Sequence, residues 1–569
     1  MIAAGVGLLV GWKAFWFLTD DAFIAFRYAS NSIQGYGYVW NPPPFQPVEG
    51  YTSFLWVLLL DIVWRTSGFE PPVSANVLSL LFSYLTLILA SVMVMRLEWA
   101  APLRRYRFVF LLLLLLFLLS NRTFLAWTSS GLENAMFCFF VTLWVFVLFH
   151  IHPPARKIFL AALVASALAL TRPEGLLYCA GTVAISVRFL FKQNGLSRAH
   201  YHTLLGLTPL LMVCLHLIWR FWFYRSWLPN TYYAKVVAPW PESGVRYMLS
   251  FILEYGLWFS ALIVFAGLMA ALLTWKDRFR HANQASVFTF LMKRLRSKKY
   301  HLRTVVVLVM LLHVSYYTFI VGGDHFEYRI YNQYIPFIFL LCLWSLNRLA
   351  IRQVSRPAIF GLALLSVLVS LPVQWTHWSV THDLNTREET HMMVVPISPE
   401  WPPPLRWYSH LFDDLQSWLI THHVGMRHQE HKVFALTQLA DHPPRETGMQ
   451  LPRADYPVFA TYAVGVPGWV LPHVSIIDTL GLNDYVIART PIPEQPLRLM
   501  AHERRPPAGY LESFHPNVLY SDGEVTVQPR EEPLAETDIR RIESCWRKLY
   551  EGSSESRQGI NVAEVKRCR

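Results

Sequence analysis

Long apolar segments alternate with short polar loops over the first 375 residues of the chain. The segment at 73–95 has no charged residue over about 20 positions, and a helix of that length crosses roughly 30 Å of hydrocarbon. The pattern predicts eleven membrane-spanning helices, at about 1–18, 73–95, 108–120, 134–150, 158–170, 176–191, 203–223, 249–273, 304–321, 330–348 and 358–375. The predicted fold class is therefore a mainly α, multi-pass membrane protein. The first span is predicted to be uncleaved, because no basic region precedes its apolar stretch.

The segment at 51–64 is also apolar, but we predict that it lies in the membrane interface as an amphipathic helix. It is short, it contains Asp61, and Pro47 and Pro71 bound it. Counting it as a span would also invert every later loop, which would place the nine Lys and Arg residues of the loop at 275–303 outside.

The distribution of basic residues predicts the orientation of the chain. With a cytoplasmic start, five loops are inside, at 96–107, 151–157, 188–202, 275–303 and 348–356. These contain 21 Lys or Arg residues, whereas the five opposite loops contain 8. Cytoplasmic loops of membrane proteins carry this excess of cations. The polar motifs of the opposite loops, and the whole C-terminal region, are therefore predicted to face away from the cytoplasm.

The composition shifts toward Pro, His and charged residues from about residue 376 onward. We predict two parts, a transmembrane catalytic domain at 1–375 with its first outer loop at 19–72, and an extracytoplasmic domain at 376–569. PVFATY, GWVLP, HVSIIDTL and YVIART are short β-rich runs within this region, and they predict an α/β or mixed domain.

The overall composition agrees with a lipid-embedded chain, since 54% of the 569 residues are hydrophobic and 15% are charged. The net charge of +12 would suggest nucleic acid for a soluble protein. Here the cations lie mostly in short loops between apolar segments, so no nucleic-acid partner is predicted. Cys545 and Cys568 are the only cysteines of the polar C-terminal region, and an extracytoplasmic location would permit a disulfide between them.

The candidate chemistry begins where the first span ends, at the adjacent carboxylates Asp20 and Asp21. One interpretation is structural, with one Asp accepting hydrogen bonds from backbone amides at a helix start. The functional interpretation is that one carboxylate acts as a general base on an acceptor hydroxyl, with Asp20 the expected base and Asp21 its partner. A carboxylate is costly to keep at a lipid boundary, which favours the functional interpretation.

Further ionisable residues cluster at the predicted outer ends of spans. Arg172 and Glu174 flank a proline, and either an internal salt bridge or a substrate role fits them equally. The densest group consists of Asp324, His325, Glu327 and Arg329. This group is predicted to bind a phosphate, a diphosphate or a sugar. Asn230 and Lys235 are weaker candidates, because the aromatic residues around them also fit an interfacial belt.

Several other chemistries lack their usual motifs. The sequence has no GxxxxGK[ST] loop, no GxGxxG after a strand, no HExxH and no CxxC pair. The histidine-rich tract THHVGMRHQEH at 421–431 is interpreted as a solvated surface rather than a metal site. No cofactor and no metal are predicted, although a divalent cation stays possible.

Taken together and in order, the motifs resemble the GT-C superfamily of polyprenyl-phosphate-dependent glycosyltransferases, and most closely the mycobacterial terminal β-(1→2) arabinofuranosyltransferase family. The resemblance rests on DDAFIAFRYASN, GYGYVWNP, VEGYTSFLW, TSSGLEN, LTRPEGLL, LPNTYYAKV and GGDHFEYR, and in the C-terminal region on IDTLGLNDYVIAR and HERRPPAGYLESFHPNV. These motifs extend over nearly the whole chain.

The resemblance implies a glycosyltransferase of a bacterial inner membrane, active on the periplasmic side. Its donor would be a polyprenyl-phosphate sugar, with arabinofuranose the best guess, and its acceptor a cell-envelope glycan or glycoprotein. The essential acid of the family maps onto Asp20 or Asp21. The implied substrate-binding residues are Glu49, Tyr51, Glu133, Arg172, Glu174, Asn230, Lys235, Asp324, His325, Glu327 and Arg329.

Two other classes remain open on the sequence. A lipid or sugar transporter or flippase would place ionisable residues near the middle of the bilayer and would show two related halves. The charged motifs instead cluster at one face, and no repeat is evident. A non-catalytic scaffold that binds a cell-envelope partner would retain its function after Asp20→Ala.

Overall fold

The computed structural model describes residues 1–190, 198–235, 238–280, 298–391, 397–493, 497–521, 524–551 and 568. Over these residues the protein is mainly helical. Seven described helices are long and apolar enough to cross a membrane: Pro71–Met95, Pro154–Thr171, Tyr201–Tyr224, Leu257–Thr274, His301–Val321, Arg329–Ile351 and Arg356–Thr381. A membrane protein with many helices is thus confirmed in outline.

All eleven predicted apolar segments are helical where the structure describes them. The four beyond the seven long helices are shorter: Ile2–Ala14, Arg107–Leu119, Asn134–His150 and Gly175–Leu190. The number eleven stays a prediction, because length and composition support seven spans. Most of the basic loop at 275–303 lies outside the described residues.

The predicted interfacial segment forms the helix Phe54–Ser67. Its 14 residues extend over about 21 Å at 1.5 Å per residue, which is too short to cross a bilayer. Asp61 is buried and accepts hydrogen bonds from the Ser32 and Tyr38 hydroxyls and from the Arg65 guanidinium. The carboxylate that interrupts the apolar run therefore joins this helix to the preceding helix Asp20–Ile33.

The described part of the C-terminal region combines short helices and four short strands with long turns and extended segments. Its helices of four residues or more are Arg387–Thr390, Pro403–Thr421, His428–Asp441, Arg445–Gly448, Gly465–Val470 and Glu536–Leu549. Val458–Thr461 pairs in parallel with Ser475–Asp478, with Val458 opposite Ser475. Val518–Ser521 pairs antiparallel with Glu524–Val527. The predicted strands in PVFATY and HVSIIDTL are confirmed.

Two of the predicted β-rich runs are wrong. GWVLP lies in and after the helix Gly465–Val470, whose first backbone N–H groups donate to the carboxylate of Asp20. YVIART contains the 3₁₀ turn Ile487–Arg489, and the Asp484 carboxylate accepts from the backbone N–H of Ile487. In both places a carboxylate satisfies the free N–H groups of a helical turn, which outweighs the β preference of Val and Ile.

The first loop and the C-terminal region share one hydrophobic core. Phe26, Tyr28 and Trp40 pack in the same cluster as Trp469 and Ile476. The apolar segment Arg356–Thr381 consists of the helices Arg356–Leu368 and Pro372–Thr381. It ends six residues beyond the predicted domain boundary at 375. The chain after the spans is therefore packed directly onto the first loop.

A buried guanidinium supports this packing. Arg27 donates hydrogen bonds to the backbone carbonyls of Trp40, Gly468, Leu471 and Val474. Arg27 therefore joins carbonyl groups at the end of the helix Gly465–Val470 to the helix Asp20–Ile33 and fixes their relative position.

A disulfide joins Cys545 to Cys568. Cys545 is in the helix Glu536–Leu549, which packs Ile539, Ile542 and Trp546 into a second C-terminal core. The sequence permitted this disulfide without requiring it, and the structure contains it.

Candidate active site

A cavity of about 120 Å³ lies between the first loop and the C-terminal region. It is lined by Thr19, Asp20, Asp21, Ile24, Lys235, His325, Phe326, Arg387, His423, Met426, Glu430, His431, Phe434, Tyr462, Ala463, Val464, Leu480, Leu482, Ala501 and His502. The volume is several times that needed for one water molecule. Acidic, basic and imidazole side chains from six separate stretches of the chain meet there.

Asp20 and Asp21 have different environments at the start of the helix Asp20–Ile33. The carboxylate of Asp20 is buried, and it accepts from the backbone N–H groups of Gly465 at 3.1 Å and Val466 at 2.8 Å. The structural interpretation of the pair therefore holds for Asp20, although the amides belong to a different helix. Asp21 is half-buried and lines the same cavity.

Burial sets the protonation of Asp20. Loss of hydration raises the pKa of its carboxyl from 3.8 to about 7, and the neighbouring charge of Asp21 acts in the same direction. The hydrogen bonds from Val466 and Gly465 oppose this shift, because they stabilise the ionised form. Asp20 thus titrates near neutral pH and is held in one place.

Gly465 is required for the close contact with Asp20. A Cβ atom at this position would lie 1.8 Å from the backbone oxygen of Asp20. Only a residue without a side chain lets the helix Gly465–Val470 approach far enough for the two hydrogen bonds.

The cavity also holds cationic and imidazole groups. Lys235 comes from the helix Asn230–Lys235, and Arg387 from the short helix Arg387–Thr390. Arg387 donates to Glu430 at 3.0 Å, so part of its charge is balanced within the protein. The histidines of the cavity are His325, His423, His431 and His502.

The four histidines form one cluster of rings. The ring of His325 lies 5.3 Å from those of His431 and His502, centroid to centroid, and 6.3 Å from that of His423. Nδ1 of His325 is 2.8 Å from the backbone oxygen of His423, and a carbonyl only accepts, so Nδ1 carries the proton. Among the described residues, no group of three or more His, Cys, Asp or Glu side chains has an arrangement that could hold a metal ion.

Burial and mutual repulsion keep these rings neutral. The pKa of His325 falls well below 6.5 through loss of hydration and through the nearby His431 and His502. Loss of hydration also lowers the pKa of His431 to about 3 and that of His423 to about 4. Neutral imidazoles both donate and accept hydrogen bonds, so the histidines give the cavity hydrogen-bonding groups and little positive charge.

A buried ionic network lies directly behind the cavity. Arg122 donates to Glu254 at 2.8 Å and to Glu327, while Arg427 donates to Glu254 at 2.8 Å and to Glu327 at 2.9 Å. The backbone N–H of Glu327 donates to the carbonyl of Met426. Two guanidinium groups and two carboxylates thus balance one another and hold the segment at 322–329 against the segment at 426–431. Glu327 serves this network and does not face the cavity in the described structure.

Three further predicted residues form a second buried group. Arg172 donates to Glu174 at 2.7 Å and to Glu133 at 2.8 Å, and the Tyr317 hydroxyl also donates to Glu174. The salt-bridge interpretation of Arg172 and Glu174 therefore describes what is present. The charge of Arg172 lowers the pKa of Glu174 to about 2, against the effect of burial.

Asp324 and Arg329 form a bidentate pair, at 2.7 Å and 2.8 Å. The Arg329 guanidinium stacks 4.3 Å from the ring centre of Phe326, which itself lines the cavity. Of the four ionisable residues at 322–329, His325 alone is part of the cavity wall.

The remaining predicted residues hold the first loop in place. Glu49 pairs with the buried Arg220, and the Tyr51 hydroxyl lies 3.2 Å from that of Tyr224. Asn230 donates to the carbonyls of Gly481, Leu482 and Asp484, and accepts from Arg489. The contacts of Asn230 tie the C-terminal region to the helix Asn230–Lys235.

Of the residues predicted from the sequence, the structure brings Asp20, Asp21, Lys235 and His325 together around one cavity, whereas Glu133, Arg172, Glu174, Asp324, Glu327 and Arg329 do not line it in the described structure. Sequence reasoning missed Arg387, Glu430, His431 and His502, which come from the C-terminal region. The interpretation of 421–431 as a solvated surface is wrong, because Arg427, His428 and His431 are buried. Apolar residues have no regular spacing in this tract, so the sequence contained no signal that it is buried.

No family model, no curated protein and no solved structure matches this chain. Function is therefore inferred from the residues of the cavity and from their placement at the ends of apolar helices.

Proposed function

We propose that this chain is a membrane glycosyltransferase that transfers a sugar from a polyprenyl-phosphate donor to an extracytoplasmic glycan or glycoprotein. One observation carries the proposal. A single cavity brings the two carboxylates that follow the first apolar helix together with Lys235, Arg387 and a group of histidines. A sugar-transfer site needs a base for the acceptor hydroxyl and positive groups for the phosphate of the leaving lipid.

The roles of the two carboxylates follow from their hydrogen bonds. Both oxygens of Asp20 accept from backbone N–H groups, whereas Asp21 is half-buried at the cavity wall. We therefore assign the base to Asp21 and a positioning role to Asp20, which reverses the assignment expected from the sequence. Asp21 takes the proton of the acceptor hydroxyl, the hydroxyl oxygen bonds to the anomeric carbon, and the bond from that carbon to the phosphate oxygen breaks.

The leaving polyprenyl phosphate gains negative charge as this bond breaks. Lys235 and Arg387 are the cations that line the cavity, and they would stabilise that charge. A donor that arrives on a membrane lipid fits a site located at the ends of membrane helices. It also fits a protein whose sequence has no nucleotide-binding motif. The resemblance of the motifs favours arabinofuranose as the sugar.

The test is transfer of label from radiolabelled polyprenyl-phosphate arabinose in membranes that contain the wild type, Asp21→Asn or Asp20→Asn. The matched control is Asp383→Asn, because the Asp383 side chain is 86% exposed and does not line the cavity in the described structure. We expect the wild type and the control to transfer label. Asp21→Asn should reduce the rate by about 100-fold or more while the protein stays folded, as for loss of a general base.

Two results would contradict the proposal, and a third would invalidate the assay. Full transfer by Asp21→Asn would remove the assigned base. Equal loss in the exposed control would show that the assay does not report on the cavity. Absence of transfer by folded wild type from arabinose, mannose and glucose donors alike would exclude the enzyme class and favour a transporter, which counterflow of the labelled lipid in proteoliposomes would then detect.

A further inference from the structure

The helix Pro403–Thr421 has an apolar face that nothing in the described structure covers. Its buried side packs Phe412, Leu415 and Leu419. On the opposite side Trp407 is 66% exposed and Leu411 is 37% exposed. These two residues are four positions apart, so their side chains are neighbours on one stripe of the helix.

Transfer of Trp and Leu side chains out of water is favourable, so a stripe of two outward-facing apolar side chains favours contact with an apolar partner. The stripe therefore needs an occupant.

The contacts of this helix identify the occupant as the bilayer. The hydroxyl of Tyr408, next to Trp407, donates to the carbonyl of Leu253 and accepts from the indole N–H of Trp258 at 3.2 Å. Trp258 is the second residue of the candidate span Leu257–Thr274. The helix is thus attached to the point where a membrane-crossing helix begins.

The exposed side chains of this helix are apolar, as are those on the surface of that span. Leu262 and Phe265 are 60% and 61% exposed on the span, as expected for side chains that face lipid. Trp258 itself is 42% exposed, and Trp residues concentrate where acyl chains meet headgroups. A helix that is hydrogen-bonded to such a Trp and directs another Trp outward lies at the same depth.

We infer that the helix Pro403–Thr421 lies in the plane of the membrane interface, with Trp407 and Leu411 inserted between the headgroups and the acyl chains. The partner of this surface is a phospholipid layer rather than a protein. Such a contact fixes the height of the C-terminal region above the bilayer, and it is independent of the proposed chemistry of the cavity.

Spin labels test this placement in the full chain. Cys179→Ala and Cys214→Ala remove the half-buried and exposed native thiols. Single cysteines are then introduced as Trp407→Cys, Leu411→Cys and, as control, Leu519→Cys, whose native side chain is 56% exposed on a strand of the C-terminal region. The labelled proteins are reconstituted in nanodiscs of phosphatidylethanolamine and phosphatidylglycerol. Relaxation by oxygen, which partitions into lipid, is compared with relaxation by a water-soluble nickel chelate.

We expect the ratio of oxygen to nickel accessibility to be several-fold higher at 407 and 411 than at 519. Equal ratios at the three positions would place the stripe in water and overturn the inference. Labels at 407 and 411 that are immobile and inaccessible to both reagents would overturn it as well, because the occupant would then be protein. Size-exclusion profiles like that of the parent chain establish that each labelled protein is folded.

Discussion

The carboxyl group of Asp20 is subject to two opposed effects. Burial raises its pKa to about 7, whereas the N–H groups of Val466 and Gly465 favour the ionised form. Between pH 3.8, its ordinary pKa, and about 7 the folded chain holds a proton that the unfolded chain releases. This group therefore stabilises the fold most at the acidic end of that range, and its contribution is lost as the pH rises through 7.

Asp20→Asn removes this titration, since an amide does not ionise. We expect the unfolding midpoint of the wild type, relative to that of Asp20→Asn, to fall as the pH rises from about 4 to about 8. Thermal unfolding in nanodiscs, followed by tryptophan fluorescence, measures the difference. A difference that is constant over this range would mean that Asp20 keeps its ordinary pKa.

Glu327 tests the network behind the cavity. Glu327→Gln leaves two buried guanidinium groups, Arg122 and Arg427, with one carboxylate. Breaking a buried ion pair by removing one partner costs about 3–5 kcal/mol. We expect a large fall in the unfolding midpoint, together with loss of transfer, because the segment that carries His325 is released.

The control for Glu327→Gln is Glu536→Gln. Glu536 pairs with Arg540 on a helix surface, where both side chains are at least half exposed. Exposed pairs of this kind contribute about 0.3–0.5 kcal/mol. Similar midpoints for the two variants would contradict the structural importance of the network.

At the scale of elements, the contact between the helices Asp20–Ile33 and Gly465–Val470 connects the first loop to the C-terminal region. Gly465→Ala would place a Cβ 1.8 Å from the Asp20 backbone oxygen, so one helix must move away. We expect transfer to fall by about tenfold or more and stability to fall by about 1–3 kcal/mol, as for overpacking of a core.

Gly361→Ala is the matched control for this substitution. Gly361 is also within a helix, Arg356–Leu368, but its added Cβ would meet no atom within 4 Å. Alanine is favoured over glycine in helices by about 1 kcal/mol, so this variant should be as stable as the wild type or more so. Rates and unfolding midpoints measured side by side distinguish the two positions.

The elements themselves were predictable to different degrees. The eleven apolar segments were located from their composition, because a helix in lipid must be apolar along its whole length. The run GWVLP looked like a strand and became a helix, since the carboxylate that receives its N–H groups is Asp20, 445 residues away from Gly465. Local preference does not include such a distant partner.

At the scale of the whole molecule, the positive-inside rule predicts which side of the membrane holds the cavity. The disulfide between Cys545 and Cys568 agrees with an oxidising compartment on that side. After reduction, a membrane-impermeant maleimide should label Cys545 in right-side-out vesicles and not in sealed inverted vesicles. Mass spectrometry of the C-terminal peptide measures the label.

Cys545→Ser with Cys568→Ser is the control for this labelling, because both thiols of the pair are then absent. Label on Cys545 in inverted vesicles alone would reverse the predicted orientation and place the cavity on the cytoplasmic side. Label from both sides would mean that the vesicles leak.

The sequence by itself determined that the molecule is a membrane protein and where its apolar helices lie, and it predicted that Asp20, Asp21, Lys235 and His325 lie near one membrane surface. These follow from composition and from charge in consecutive residues. Only the tertiary structure decided that the C-terminal region contributes Arg387, His431 and His502 to the same cavity. It also decided that Asp20 is held by backbone amides while Asp21 faces the cavity. The physical reason is that burial and hydrogen bonding depend on partners hundreds of residues apart, which periodicity along the chain does not encode.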